Sequence, residues 1–116
     1  MHYLLLIYQN EAEVEKMDAA YVKTMHADYM AFTQSIVQAG HFKAGDALQK
    51  TSTATTVRVR NGKTITTDGP FAETREQLAG YYLIDAKDLD QAVTIAERVP
   101  SAKHGAIEVR PIRVFN

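Results

Sequence analysis

The stretch Thr66–Asp85, TTDGPFAETREQLAGYYLID, constrains this chain more than any other. Asp68-Gly69-Pro70-Phe71 is a turn by its chemistry. An aspartate can bond its own backbone two residues on, glycine tolerates positive φ, and proline fixes φ and removes a donor. The residue before a proline is pushed out of the α region, so Gly69 is extended or otherwise special. Glu73, Arg75 and Glu76 follow; a short helical turn over 72–78 would put both carboxylates on one face and Arg75 elsewhere. Gly80 permits a close approach or a bulge, and Tyr81-Tyr82-Leu83-Ile84 is a strand by composition.

The remaining chain reads in order. His2–Tyr8 is an apolar run of strand length, suited to the middle of a sheet. Residues 10–16 are a polar connection with room for a helical turn. Asp18 is a candidate N-cap. Tyr21, Val22, Met25, Tyr29, Phe32, Ile36 and Val37 then recur at spacings of three and four. That is one face of an amphipathic helix ending at Ala39, with Gly40 just past its end. His26 lies on the border of that face. Residues 41–48 read as extended or irregular with a turn at Gly45-Asp46, and 50–54 as a polar loop.

Thr55–Arg60 alternates, Asn61-Gly62 signals a hairpin, and Lys63–Thr67 returns. A two-residue turn sets Ile65 opposite Arg58, whereas a three-residue loop with a bulge at Gly62 sets it opposite Val57. Apolar matching favours the bulge. Further on, Asp88 caps a second helix with Gln91 at the capping-box position, and Leu89, Ala92, Val93 and Ala96 form its buried face. Pro100 stops it. Residues 106–114 are a last strand, broken at Pro111 and hence expected at an edge or a bulge.

Strand, helix, strands, helix, strand is the split βαβ pattern of an α+β ferredoxin-like sandwich, with the 55–67 hairpin contributing an extra strand. Two helices cover one face of such a sheet. Nothing else in the chain covers the other, so a second copy is expected there. With 116 residues and neither repeats nor linkers, one domain over 1–116 is expected.

Composition removes several classes of function. There is no cysteine, which excludes disulfides, thiolate catalysis and cysteine metal sites. A net charge of −1 gives no nucleic-acid footprint and no membrane-surface patch. The apolar run at the start is too short for a signal or a membrane span, so a cytoplasmic location is expected. No phosphate-binding glycine loop, histidine metal spacing or serine elbow occurs, so no cofactor or metal is expected.

DGPFAETRE, at 68–76, resembles the signature of the YCII-related family, in particular its DGPFAETKE branch, with Arg75 where that motif has lysine. Ala39-Gly40, Leu48, the 55–60 strand, the 76–82 run, Ala92, Ala96, Pro100 and Val109-Arg110-Pro111 fit in order, so the resemblance covers nearly the whole chain. It implies a ferredoxin-like fold that dimerises into an α/β barrel. It implies no settled reaction; relatives by fold include small isomerases, lyases and monooxygenases, and members are often linked with alternative sigma factors.

The residues with chemistry to offer each have a structural role to set against it. Asp68 is a turn-maker or a general acid–base, with Glu73 and Glu76 as like-charged neighbours able to raise its pKa. Those glutamates are surface or cap residues, or substrate contacts. His26 is a satisfied border residue or the proton carrier, given its range near neutrality. Broader members of the resembled family use a His–Asp pair, and His41 could stand in for His26. Arg110 is an ion-pair partner of Glu73 or Glu76, or a fork for a substrate carboxylate. Tyr81 and Tyr82 point to opposite faces, so one of them, taken as Tyr82, lines a cleft. Two functions are weighed. One is a cofactor-independent isomerase, lyase or dehydratase acting on a small organic acid. The other is a non-catalytic ligand-binding or regulatory module, informing a sigma factor.

Overall fold

The computed structural model describes residues 1–116. Its elements are β1 (His2–Gln9), α1 (Glu11–Glu15), α2 (Ala19–Gln38), β2 (Phe42–Ala47), β3 (Thr55–Arg60), β4 (Lys63–Asp68), β5 (Gln77–Asp85), α3 (Leu89–Ala96) and β6 (Ala106–Pro111). Single 3₁₀ turns sit at Thr51–Thr53 and Pro100–Lys103. This is a mixed α+β chain with antiparallel sheets. One sheet has the order β2-β5-β1-β6; the other is the hairpin β3-β4 alone.

β1 lies in the interior of the sheet, as its unbroken apolar run requires. Alternate residues Tyr3, Leu5 and Ile7 are buried and cluster with Phe32 and Ile36 of α2 and Ala92, Ile95 and Ala96 of α3. Both helices therefore cover this one face. Leu4, Leu6 and Tyr8 turn the other way, beside Leu83 and Tyr81 of β5, and stay half-buried. The N-caps form as expected: Asp18 accepts from the Tyr21 N–H at 2.7 Å and Asp88 from the Gln91 N–H at 2.9 Å. The Gln91 side chain reaches back to the N–H of Lys87, one residue earlier than a capping box requires. Gly40 takes φ +81° just past α2. No helix is long and apolar enough to cross a membrane.

Four local expectations are corrected. The β3–β4 hairpin turns in two residues, with Asn61 at φ 52° and Gly62 at φ 74°, and pairs Arg58 with Ile65. Both residues are left-handed, the signature of the tight turn that matches strand twist, and no buried face exists here to favour apolar matching. Residues 41–48 are extended, as Phe42–Ala47 forms an edge strand with a register shift between Phe42 and Ala44, but Gly45-Asp46 lies within that strand and makes no turn. Gly45 is there because a Cβ would come within 2.7 Å of the Tyr82 ring. Residues 72–76 form no helical turn; they bend, with the Thr74 hydroxyl donating to the Glu76 carbonyl at 2.5 Å and the Gln77 amide to the Thr74 carbonyl at 2.6 Å. The buried face of α3 includes Ile95, while Leu89 and Val93 stay about half exposed.

The hairpin stands away from the rest. None of its residues is buried, and Val57, Val59 and Ile65 are exposed. The radius of gyration is 16.2 Å, against roughly 13 Å for a compact chain of this length. It is an arm held at its base. The Gly69 N–H donates to the Ala54 carbonyl at 2.7 Å, and the Thr56 hydroxyl to the Gly69 carbonyl at 2.8 Å. Glu11 ties the turn before the arm to α1 by accepting from the N–H and hydroxyl of Thr51.

Candidate functional site

A cavity of about 580 Å³ opens between α2 and the sheet. Ile7, Phe42 and Tyr82 wall it on the sheet side, Met25, His26, Tyr29 and Thr33 on the helix side, and Val14 and Met17 at the end near α1. On its sheet side β2 and β5 approach closely at glycine: a Cβ on Gly80 would lie 2.8 Å from the Asp46 carbonyl oxygen. A β-bulge between Ile7 and Tyr8 shifts the register beside it.

One wall carries a chain of neutral hydrogen bonds. The Tyr29 hydroxyl donates to Ser101 Oγ at 2.5 Å, and Ser101 Oγ donates to Gln9 Oε1 at 3.2 Å. Ser101 is buried. Burial pushes the Tyr29 phenol above its usual range, against the opposing pull of its bond to Ser101. Nearby, Thr33 and Tyr82 share a hydroxyl–hydroxyl bond at 2.6 Å. At the mouth, the Tyr21 hydroxyl bonds His104 Nε2, with the two rings edge to face at 5.7 Å. His26 is exposed. It lines both this cavity and a shallow groove along the outer side of α2, so its imidazole meets bulk water and the interior alike.

Of the residues marked from the sequence, His26 and Tyr82 line this cavity. Asp68, Glu73, Glu76 and Arg110 do not. Asp68 ends β4 on the arm, exposed and outside every ion pair of the chain. Glu73 and Glu76 sit in the bend that follows. Arg110 pairs with Leu4 across the strands, which puts it on the sheet face away from the helices. Its partner is Glu108, at 2.7 Å on the same strand, rather than Glu73 or Glu76. That carboxylate raises the Arg110 pKa further. His41 is occupied, with Nδ1 2.8 Å from the Asp85 carbonyl oxygen.

Nothing in the residue pattern points to Gln9, Ser101 or His104 as members of one site. They come from the end of β1 and from the loop after α3, 92 residues apart for Gln9 and Ser101. The sequence signal that existed was Pro100-Ser101, a proline that ends a helix directly before a hydroxyl. No three His, Asp or Glu side chains gather at metal-binding spacing. Chemically the wall can hold a polar group at Tyr29 and exchange protons with water through His26.

The model for the YCII-related domain matches residues 1–116. A protein of Rhizobium meliloti (strain 1021), described as uncharacterized protein R00369, is 37% identical over 117 residues, spanning 99% of this chain and 94% of its own. Among solved structures, the 5-chloro-2-hydroxyhydroquinone dehydrochlorinase of Burkholderia phenoliruptrix AC1100, in complex with 2,5-dihydroxybenzoquinone, superposes with a TM-score of 0.57. The superposition covers 97% of this chain and 94% of that one, and at 12% identity it shows a shared fold. With a family model spanning it from end to end and a relative matching nearly as far, the chain belongs to the YCII-related family.

Proposed function

We propose that this protein is a small-molecule acid–base enzyme that works in the cavity between α2 and the sheet. One observation carries this. A largely apolar, partly open space joins a hydrogen-bonded chain, Tyr29–Ser101–Gln9, with Ser101 buried, to an imidazole at its mouth, His26. The chain fixes a polar group of the substrate. His26, the imidazole at the mouth, takes or returns the proton. Isomerisation and elimination both need only this. In an elimination the base removes a proton from carbon, the freed pair becomes the new π bond, and the leaving group departs with its own pair. The structural neighbour is named a dehydrochlorinase, and elimination of that general kind is compatible with the cavity found here.

The strand order β2-β5-β1-β6 with both helices on one face supports a ferredoxin-like sheet, the arm being an insertion between its second and third strands. DGPFAETRE supports membership of the DGPFAETKE branch. The exposed arm and the uncovered sheet face support a homodimer. Asp68 belongs to the catalytic reading only through such a dimer, in which the arm of one copy presents it to the other.

The test is turnover. On a substrate found by metabolite screening, His26→Gln should lower kcat by roughly 100- to 10,000-fold while the fold persists by circular dichroism. Unchanged kcat in that variant refutes the assignment. A ligand that binds the cavity with no turnover in the unaltered protein makes it a binding module instead.

A further inference from the structure

The cavity's lining specifies the charge of what it holds. Neither lysine nor arginine lines it. Apart from tyrosines, its ionisable side chains are His26, His104 and Asp46. All three are exposed. His104 has Nε2 committed to the Tyr21 hydroxyl. Asp46 accepts the Tyr81 hydroxyl at 2.8 Å and pairs with it across the strands, which puts its carboxylate on the sheet face away from the helices. The polar end consists of Tyr29, Ser101, Gln9, Thr33 and Tyr82, neutral groups throughout, with Ser101 and Tyr82 buried and the other three half-buried. A carboxylate carried there would lose its hydration with no cation in return.

The direction of the hydrogen bonds narrows the ligand further. The Tyr29 proton goes to Ser101 and the Ser101 proton to Gln9. The two hydroxyl protons of that chain are used internally, so the oxygen of Tyr29 keeps its acceptor capacity toward the cavity, while the Gln9 amide N–H groups and one hydroxyl proton of the Thr33–Tyr82 pair remain as donors. The matching ligand group is therefore one that can both donate and accept, a hydroxyl. The apolar walls, with Phe42 and Tyr82 edge to face at 6.3 Å, suit a flat ring behind that group.

We propose that the substrate is an uncharged hydroxylated ring, a phenol or cyclic enol, whose hydroxyl donates to Tyr29 deep in the cavity. This rests on the catalytic use of the same cavity and replaces an organic acid gripped by Arg110, which lies on the opposite sheet face. The assignment is tested by calorimetric titration of the full chain with catechol and, separately, with benzoate, a ring of similar size carrying a carboxylate. Catechol should bind at least about tenfold more tightly, the worth of roughly one hydrogen bond plus the avoided desolvation. Tyr29→Phe and, independently, Ser101→Ala should each weaken catechol by up to about tenfold. Their melting temperatures, taken in parallel, separate lost contacts from lost fold.

Equal or tighter binding of benzoate, binding of neither ring, or catechol affinity unmoved in both folded variants overturns the proposal. Catechol binding with no turnover of any hydroxylated ring would leave the ligand class standing and remove the acid–base reaction. Turnover of a carboxylate substrate that needs His26 would do the reverse.

Discussion

Single glycines let the strands beside this cavity pack closely. Gly45 and Gly80 face each other's strands where any side chain would strike Tyr82 or the backbone of Asp46. Gly45→Ala should drive the Tyr82 ring toward the cavity and cost about 1–3 kcal/mol, the usual range for overpacking, with ligand affinity falling in the same variant. Denaturant titration reads the first effect and calorimetry the second. Gly105 is tighter still: a Cβ there would lie 2.0 Å from the Tyr8 carbonyl oxygen. Backbone cannot swing aside as a ring can, so Gly105→Ala should destabilise more than Gly45→Ala.

Tyr29 makes a prediction in pH. Its pKa is raised by burial above the ordinary 10.0. The stabilisation from keeping the neutral phenol is therefore complete below pH 10 and is lost as pH rises through the higher folded value. Between pH 9 and 11 the melting temperature of Tyr29→Phe should fall less steeply than that of the unaltered protein. Parallel curves would show that Tyr29 does not supply this dependence. At this scale the sequence was partly legible. His26 and Tyr82 stood out by residue type and spacing. Ser101 and Gln9 did not, because their role exists only once α3 has brought the Pro100 turn back against the end of β1.

Among the elements, legibility followed burial. β1, α2 and the N-caps at Asp18 and Asp88 could be read because apolar period and capping chemistry agree there. The β3–β4 register could not be read from apolar matching, because that rule presumes a buried face and the arm has none in this chain. Turn chemistry decided instead. Asn61 and Gly62 are both left-handed, so Gly62→Ala should cost about 1 kcal/mol through the turn. Because the arm is held only at its base, that loss should appear as faster amide exchange along Thr55–Asp68 with little change at β1 or β5. Uniform acceleration across the chain would mean that the arm and the sheet unfold as one unit. The glycine in β2 misled for a related reason. Gly45-Asp46 looks like a turn in isolation, but its cause is a ring on a neighbouring strand.

At the scale of the whole molecule, two surfaces lack a partner. An isolated two-stranded hairpin is marginal in water, yet this one extends about 20 Å with Val57 and Val59 on one face and Ile65 with Arg58 and Arg60 on the other. Across the molecule, Leu4, Leu6, Leu83 and Tyr81 form a sheet face that neither helix covers. Burial of a valine or leucine side chain contributes about 1.5–3 kcal/mol, so leaving both surfaces in water forgoes several such contributions. A second copy would satisfy both at once, since a two-fold axis would pair each surface with a counterpart. Light scattering on the unaltered chain should give twice the 12.9 kDa of one copy. Val57→Asp with Val59→Asp should weaken that dimer through the arm, and Leu4→Lys with Leu83→Lys through the sheet, with circular dichroism unchanged in either pair. If only the sheet pair dissociates it, the arm is free in the dimer and Asp68 has no route to a second copy's cavity. If the unaltered chain is monomeric at micromolar concentration, Asp68 has no catalytic place at all, and the chemistry rests on His26 and the hydroxyl chain within one chain.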